Sequence, residues 1–471
     1  MEVPMFKKFL AILFVFALAL GVVATPAQAA VPVEYESSIQ VRNLTETSGT
    51  ITLTFYNLAG TVVGTPLTDS IAANETKSYY QSTMPVTTGF IGSVVISSNV
   101  EIAAMSNLVG LDAAAKPISY AAYSGFGQGA MSAYLPTLFK DNYGYNTFFY
   151  VQNTGTANTA VTIQYSDGTT SSLPAIAPGQ SAVVNQKSEP HTPKVFSAIA
   201  TSSVAPIAVT VVEEGPTLFS YTGFGAGAVD PLMPLINQNN YGYFTGVQIM
   251  NTGGADTVVT VEYTPSLGGT ACEETRTLAA GTSKTFSQFV FYVSQDESGD
   301  AAFATTCTMG ETFIGSAKVT ANTGAAPLVA VVNQLQPTAV KGGAYDAFDP
   351  ALGGAKIVYP LIMDRNYGYF TSHSIVNVGT TAIAIGDLSC LFTGTAKTGP
   401  VTKTITNPVA IPYEGSWTLN HENLLGDGFV GGATCTGPAG ALLVGTSNQL
   451  GAGQGNAGVD TLLVSEGFIV K

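Results

Sequence analysis

One phrase occurs three times in this chain and constrains its fold more than any single motif. It reads Tyr134-Leu-Pro136 … Asn142-Tyr143-Gly144-Tyr145 … Gln152-Asn-Thr-Gly155, then Leu232-Met-Pro234 … Asn240-Tyr241-Gly242-Tyr243 … Asn251-Thr-Gly253, and last Val358-Tyr-Pro360 … Asn366-Tyr367-Gly368-Tyr369 … Asn377-Val-Gly379. Recurrence on this scale marks an array of similar modules. Arrays build surfaces and filaments or present binding faces more often than they house one active site.

Between these landmarks lie short runs of period-two alternation, such as Gly49–Tyr56, Ala160–Tyr165 and Thr257–Tyr263. Apolar side chains alternate there with Thr, Gln or Glu, the pattern of a strand with one buried face. Turn residues interrupt the runs at Asp167-Gly168, Pro178-Gly179 and Ala280-Gly281, and helix-period segments with capping signals are missing beyond the N-terminal leader. The expectation is an all-β chain of four tandem antiparallel β-sandwich modules. Aligning the phrases places them at residues 31–133, 134–231, 232–357 and 358–471, joined by short connections into a stiff string.

In the repeated phrase, Gly144, Gly242 and Gly368 lie between tyrosines, where a left-handed backbone or a close approach calls for glycine. Pro136, Pro234 and Pro360 cannot donate to a ladder and suit the first residue of an edge strand. With the flanking Asn142, Asn240 and Asn366 and the tyrosines, these residues read as a packed junction between modules. The competing reading is an aromatic platform for glycans. The sequence strand, Asn-Thr-Gly, polar stretch, Val-Thr-Val-x-Tyr resembles the tandem immunoglobulin-like repeat domains of bacterial surface proteins. That resemblance implies stalks, adhesins or surface-layer components. The chain departs from antibody-type domains, because its first two modules lack Cys and its only Trp is Trp417.

Residues 1–30 read as an export signal: basic Lys7-Lys8, an apolar run from Phe9 to Ala24, then the small-x-small site Ala27-Gln28-Ala29. The run is short for a membrane span, so the expectation is a cleaved leader and an extracellular or surface-assembled protein, not a membrane-spanning one. With 17 Lys+Arg against 31 Asp+Glu, the net charge of −14 disfavours nucleic acid and anionic lipid. Charged residues make up only 10% of the chain, so self-repulsion is weak and side-by-side packing into a homopolymer or lattice is tolerated. A cell-envelope glycan is the alternative partner.

Four cysteines in an exported protein read as disulfides. Cys272 and Cys390 each follow a module's second predicted strand, and Cys307 and Cys435 each precede a late one. This parallel placement selects Cys272–Cys307 and Cys390–Cys435. His191, His373 and His421 occupy different places in different modules and match no catalytic motif, so no enzyme and no cofactor is expected. Asp296-Glu-Ser-Gly-Asp300 offers carboxylates to calcium but lacks the calcium-hand spacing and reads as a solvated turn. Asn43-Leu-Thr45 and Asn74-Glu-Thr76 match the glycan-acceptor pattern. Finally, Gly455–Val464 echoes Gly225–Pro234, suggesting the opening strand of a further module, either folded back or donated to a neighbouring subunit.

Overall fold

The computed structural model of the protein describes residues 31–192, 194–287, 291, 299–322, 325–451 and 459–470; the leader lies outside them. The described chain is all-β, with short 3-10 turns and no α-helix, and its strands form eight antiparallel sheets that face one another in pairs.

The first pair contains β1 (Glu34–Asn43), β2 (Gly49–Asn57), β3 (Val62–Ile71), β4 (Thr76–Tyr80), β5 (Gly92–Ser98), β6 (Ile102–Leu111) and β7 (Pro117–Ser124), ordered β4-β1-β6-β7 and β3-β2-β5. The second contains β8 (Ser132–Phe139), β9 (Asn146–Asn153), β10 (Thr159–Tyr165), β11 (Thr170–Ile176), β12 (Ser181–Asn185), β13 (Val195–Ser202), β14 (Ile207–Glu214) and β15 (Leu218–Thr222), ordered β11-β10-β13-β8 and β12-β9-β14-β15. The third runs through β16 (Leu232–Gln238), β17 (Phe244–Asn251), β18 (Thr257–Gly268), β19 (Cys272–Leu278), β20 (Ser283–Phe286), β21 (Ala304–Thr305), β22 (Phe313–Ala321), β23 (Leu328–Gln336) and β24 (Lys341–Asp346), ordered β16-β22-β18-β19-β21 and β20-β17-β23-β24. The fourth holds β25 (Lys356–Asp364), β26 (Tyr369–Asn377), β27 (Ser389–Ala396), β28 (Gly399–Thr406), β29 (Ser416–Asn420), β30 (Phe429–Thr436), β31 (Leu443–Gly451), β32 (Leu462–Glu466) and β33 (Phe468–Val470), ordered β28-β27-β30-β25-β33 and β29-β26-β31-β32.

Alternation decides which side chains enter each core. Along β10, Thr159, Val161, Ile163 and Tyr165 are buried while Ala160, Thr162 and Gln164 face solvent. The inward residues meet Phe149 and Val151 of the opposite sheet, and comparable clusters bridge the other pairs, as Val41 with Leu53, Ile249 with Val261, and Ile375 with Phe392. Each core is closed at one end by a buried asparagine. Asn153 donates to the carbonyls of Ala157 and Ile176, both at 2.8 Å, and Asn43, Asn251 and Asn377 repeat the arrangement. The Asn-Thr-Gly step is thus a turn whose side chain ties two strands together.

The sheet pairs do not extend as a string. The outer strand of one sheet in each pair meets its neighbours: β7 touches β15 and β32, and β24 touches β15 and β32, closing a ring. Close approach demands small residues at the centre, and a Cβ on Gly342 or Gly343 would lie 2.5 Å from Thr217 Oγ1 or Val464 Cγ2 respectively. Leu462 and Val464 of β32 enter the third core, and Val331 and Ala344 of the third pair enter the second. The chain end is accounted for within the fourth pair. β32 pairs with β31 from Thr446↔Glu466 to Leu450↔Leu462, and β33 pairs with β25 through Ile357↔Ile469. Of the segment expected to open a further module, residues 455–458 lie outside the described residues; its end, Leu462–Val464, is folded back into β32 of the fourth pair, where β31 offers it a ladder.

Candidate functional site

The Asn-Tyr-Gly-Tyr phrase forms a two-residue turn in each of three sheet pairs, carrying the chain from β8 to β9, β16 to β17 and β25 to β26, strands of opposite sheets. Asn142 and Tyr145 exchange backbone hydrogen bonds of 3.0 and 2.8 Å, and Asn240 with Tyr243 and Asn366 with Tyr369 do the same. The central residues have positive φ: 48° and 87° at Tyr143 and Gly144, 49° and 80° at Tyr241 and Gly242, 50° and 82° at Tyr367 and Gly368. Positive φ at both central residues is the mark of a type I′ turn, closed here on a single isolated bridge. The first tyrosine of each phrase points into solvent, with Tyr143, Tyr241 and Tyr367 88%, 91% and 85% exposed.

The second tyrosine turns inward. The Tyr145 ring lies 5.5 Å from Phe219 with its hydroxyl 2.7 Å from Thr217, and burial pushes that phenol up to about 12. Tyr243 packs against the third core, and Tyr369 lies 5.9 Å from Tyr120 of the first pair. Of these inner rings Tyr369 reaches another sheet pair, while Tyr145 meets partners of its own. Pro136, Pro234 and Pro360 also depart from the expected strand start. They sit inside β8, β16 and β25 at register shifts, where a residue without an N–H costs no ladder bond.

A second constellation lies where the last strands meet. Ser124, Thr222, Asp346 and Glu466 each end one of these strands. The Ser124 hydroxyl donates to Glu466 at 2.5 Å, the Asp346 N–H donates to the other Glu466 oxygen at 2.7 Å, and the Thr222 N–H and hydroxyl donate to Asp346. Burial and the facing Glu466 carboxyl push Asp346 well above the usual carboxylate range, and burial raises Glu466. The pair accordingly retains a proton. Nearby, burial pushes Glu213 up to about 8 while Asn333 donates to it at 2.8 Å. Asp460 accepts from the backbone of Leu218 at 3.0 Å and Gly342 at 2.9 Å, locking three sheet pairs together.

Both disulfides form as the sequence indicates, Cys272–Cys307 and Cys390–Cys435. The fold brings His373 to 3.9 Å from Cys390 and 3.0 Å from His421. His373, Cys390 and Cys435 are grouped as metal ligands would be, but the two sulfurs are bonded to each other and cannot act as thiolates. Burial, then His421, holds His373 well below the ordinary histidine range, and burial brings His421 down to about 3, so both stay neutral. His191 bonds Asp167 at 3.1 Å within the second pair. Asn43 cannot accept a glycan, because its amide is fully buried and donates to Thr47 and Ala72. Asn74 is half-buried, donates to Glu46, and lines two hollows of about 340 and 400 Å³ at the seam of the first and fourth pairs. Of the acidic turn, residues 296–298 lie outside the described residues; Asp300 is held by Lys284 at 3.0 Å and by the Thr277 N–H at 2.7 Å.

No protein-family model matches the chain, and no curated protein is similar to it. The central acids escaped the sequence reading, although a signal was present. Asp346 and Glu466 fall in the repeat position of Ser124 and Thr222, inside apolar runs such as Ala344-Tyr-Asp346-Ala-Phe348.

Proposed function

We propose that this is a non-enzymatic structural protein of the cell exterior, exported and assembled as a surface-layer, sheath or filament subunit, each sheet pair forming one module. The observation that carries the reading is the set of three hairpin tips holding Tyr143, Tyr241 and Tyr367 almost wholly in solvent. Large exposed aromatics with a polar tip are enriched at protein contacts, and three copies on one body allow contacts to be multiplied. Two disulfides and the leader sequence support an oxidising exterior. The low charge density supports close packing of copies.

A second reading is a glycan-binding adhesin, favoured by the same tyrosines, since a sugar ring stacks on an exposed aromatic face. Light scattering and electron microscopy of the disulfide-intact protein over a concentration series separate the two. The subunit reading expects ordered multimers that disappear in the Tyr143→Ser/Tyr241→Ser/Tyr367→Ser variant while its unfolding transition persists. A monomer that binds glycans through these tyrosines supports the adhesin. A monomer that binds none overturns both.

A further inference from the structure

The four sheet pairs set corresponding residues at corresponding core positions, and the fourth departs from the others at four of them. Four positions before the core-closing Asn43, Asn153, Asn251 and Asn377 stand Ile39, Phe149, Val247 and His373. Their ladder partners are Tyr79, Val184, Phe286 and Leu419 respectively. Two positions after those partners the sequence has Gln81, Gln186, Gln288 and His421. In the facing sheet, two residues before Phe55, Tyr165, Tyr263 and Phe392, the ladder pairs are Leu53↔Ile96, Ile163↔Ala200, Val261↔Val319 and Cys390↔Cys435. One histidine and two cysteines thus replace apolar residues, and a second histidine replaces glutamine, in the fourth pair alone.

The four replacements meet at one point. His373, His421, Cys390 and Cys435 are each at most 1% exposed. The ligating atoms of His373, Cys390 and Cys435 lie within 4.8 Å of one another, with His373 Nε2 3.9 Å from the Cys390 sulfur. The other ring nitrogen, Nδ1, is 3.0 Å from His421 Nε2. Tyr359 stacks on the His373 ring at 5.2 Å, and Phe392 and Trp417 lie beside it. Packing alone does not call for such residues. Phe149, Ile163 and Ala200 fill the same place in the second pair, whereas in the fourth His421 Nδ1 is buried without a hydrogen-bond partner.

We propose that Cys390 and Cys435, once reduced, form with His373 Nε2 a site for a thiophilic divalent cation, Zn2+ fitting it best, and that the disulfide takes its place on oxidation. A dithiol gives two electrons and two protons to the Cys390–Cys435 bond and becomes a disulfide itself; Zn2+ then displaces the two thiol protons. Zinc–sulfur and zinc–nitrogen bonds of about 2.3 and 2.0 Å set sulfur and nitrogen about 3.5 Å apart in a tetrahedron, so His373 already stands near its place. The two sulfurs must part to about 3.8 Å, which facing positions of an antiparallel ladder allow. Two thiolates balance the charge of the ion, and the filled site is neutral, as its apolar surround requires. His373 coordinates through Nε2 with its own proton on Nδ1, donated to His421 Nε2. His421 is therefore the positioning residue.

The test uses the full chain, reduced with a dithiol in denaturant, freed of reductant and refolded without oxygen in Zn2+. It should take up about one ion that the oxidised chain does not. Equilibrium dialysis counts the ion, and Co2+ in its place reports thiolate ligation through a charge-transfer absorption. Cys390→Val/Cys435→Val, which copies Val261 and Val319, should abolish both signals although the Cys272 and Cys307 thiols remain. His421→Gln, which copies Gln186, should weaken binding about 10- to 100-fold, and His373→Phe, which copies Phe149, should weaken it further. Equal uptake by the oxidised chain overturns the proposal, as does an affinity left unchanged by the cysteine pair or by either histidine replacement. A reduced chain that takes up no ion overturns it too, refolded or not, because the ion should itself support refolding.

Discussion

The hairpin tips and the central strand ends recur around the same molecule, yet they follow opposite rules. At the tips the residue is identical in three copies, Tyr143, Tyr241 and Tyr367, and it is exposed. At the centre the backbone recurs while the residue changes, through Ser124, Thr222, Asp346 and Glu466. Four buried carboxyls converging there would repel and leave their oxygens without donors. Two hydroxyls and two carboxyls instead match donors to acceptors, Ser124 to Glu466 and Thr222 to Asp346. A repeat can stay uniform where each copy faces water alone, and must diversify where its copies meet.

The largest expected effect tests the centre by pH. The Asp346/Glu466 pair and Glu213 have raised native values, so the folded state holds protons that the unfolded chain has lost. Their contribution is full below the ordinary carboxylate range and declines as pH rises through the native value, about 8 for Glu213. His373 and His421 act in the opposite sense, but only below about pH 6.5, where the unfolded chain takes up their protons. From pH 6.5 to 8 unfolding free energy should therefore fall by about 1.4 kcal/mol per pH unit for each retained proton. Denaturant titrations at several pH values measure it, and Glu213→Gln should flatten the slope by one proton. Stability that is flat or rising across this window would mean that the centre is ionised, and the contrast with the rim would collapse.

The next effect concerns the two tyrosines of one phrase. Tyr243 packs against the third core while Tyr241 is exposed, two residues away on the same turn. Tyr243→Ala should cost about 2 kcal/mol by emptying part of that core. Chemical denaturation reads the loss directly, and a variant as stable as the parent would show that the inner ring packs no better than the outer one.

This division within one phrase also marks how far the sequence could be read. Strands were legible because alternation is local: Ala160–Tyr165 lies within β10, and Thr257–Tyr263 within β18. The disulfides followed from parallel placement of their cysteines. The facing of the two tyrosines was not legible, because the hairpin turn rather than composition decides which ring turns inward. Ring closure was hidden for another reason. It depends on small residues such as Ala121, Gly342 and Gly343 meeting partners far away in sequence, and small residues carry no periodic signal. Asp346 and Glu466 were not singled out, since burial of a carboxyl depends on donors from other sheet pairs.

The smallest expected effect bears hardest on what the tips are for. A type I′ turn needs positive φ at both central positions, and Asn is the residue that most readily accepts it at the first. Tyrosine has a Cβ and a bulky ring that disfavour that region, and the rings of Tyr143, Tyr241 and Tyr367 return little burial to offset the cost. Replacing any one of them by Asn should hold the turn with less strain and raise stability by about 0.5 kcal/mol, with additive gains because the tips lie in separate hairpins. Thermal unfolding of the single and triple Tyr→Asn variants measures this. A gain in stability accompanied by loss of multimers or of glycan binding would mean that the tyrosines serve contacts at the expense of the fold. A loss in stability at all three tips would instead place these rings among the fold's own supports, and the case for an assembly surface at the hairpins would fail.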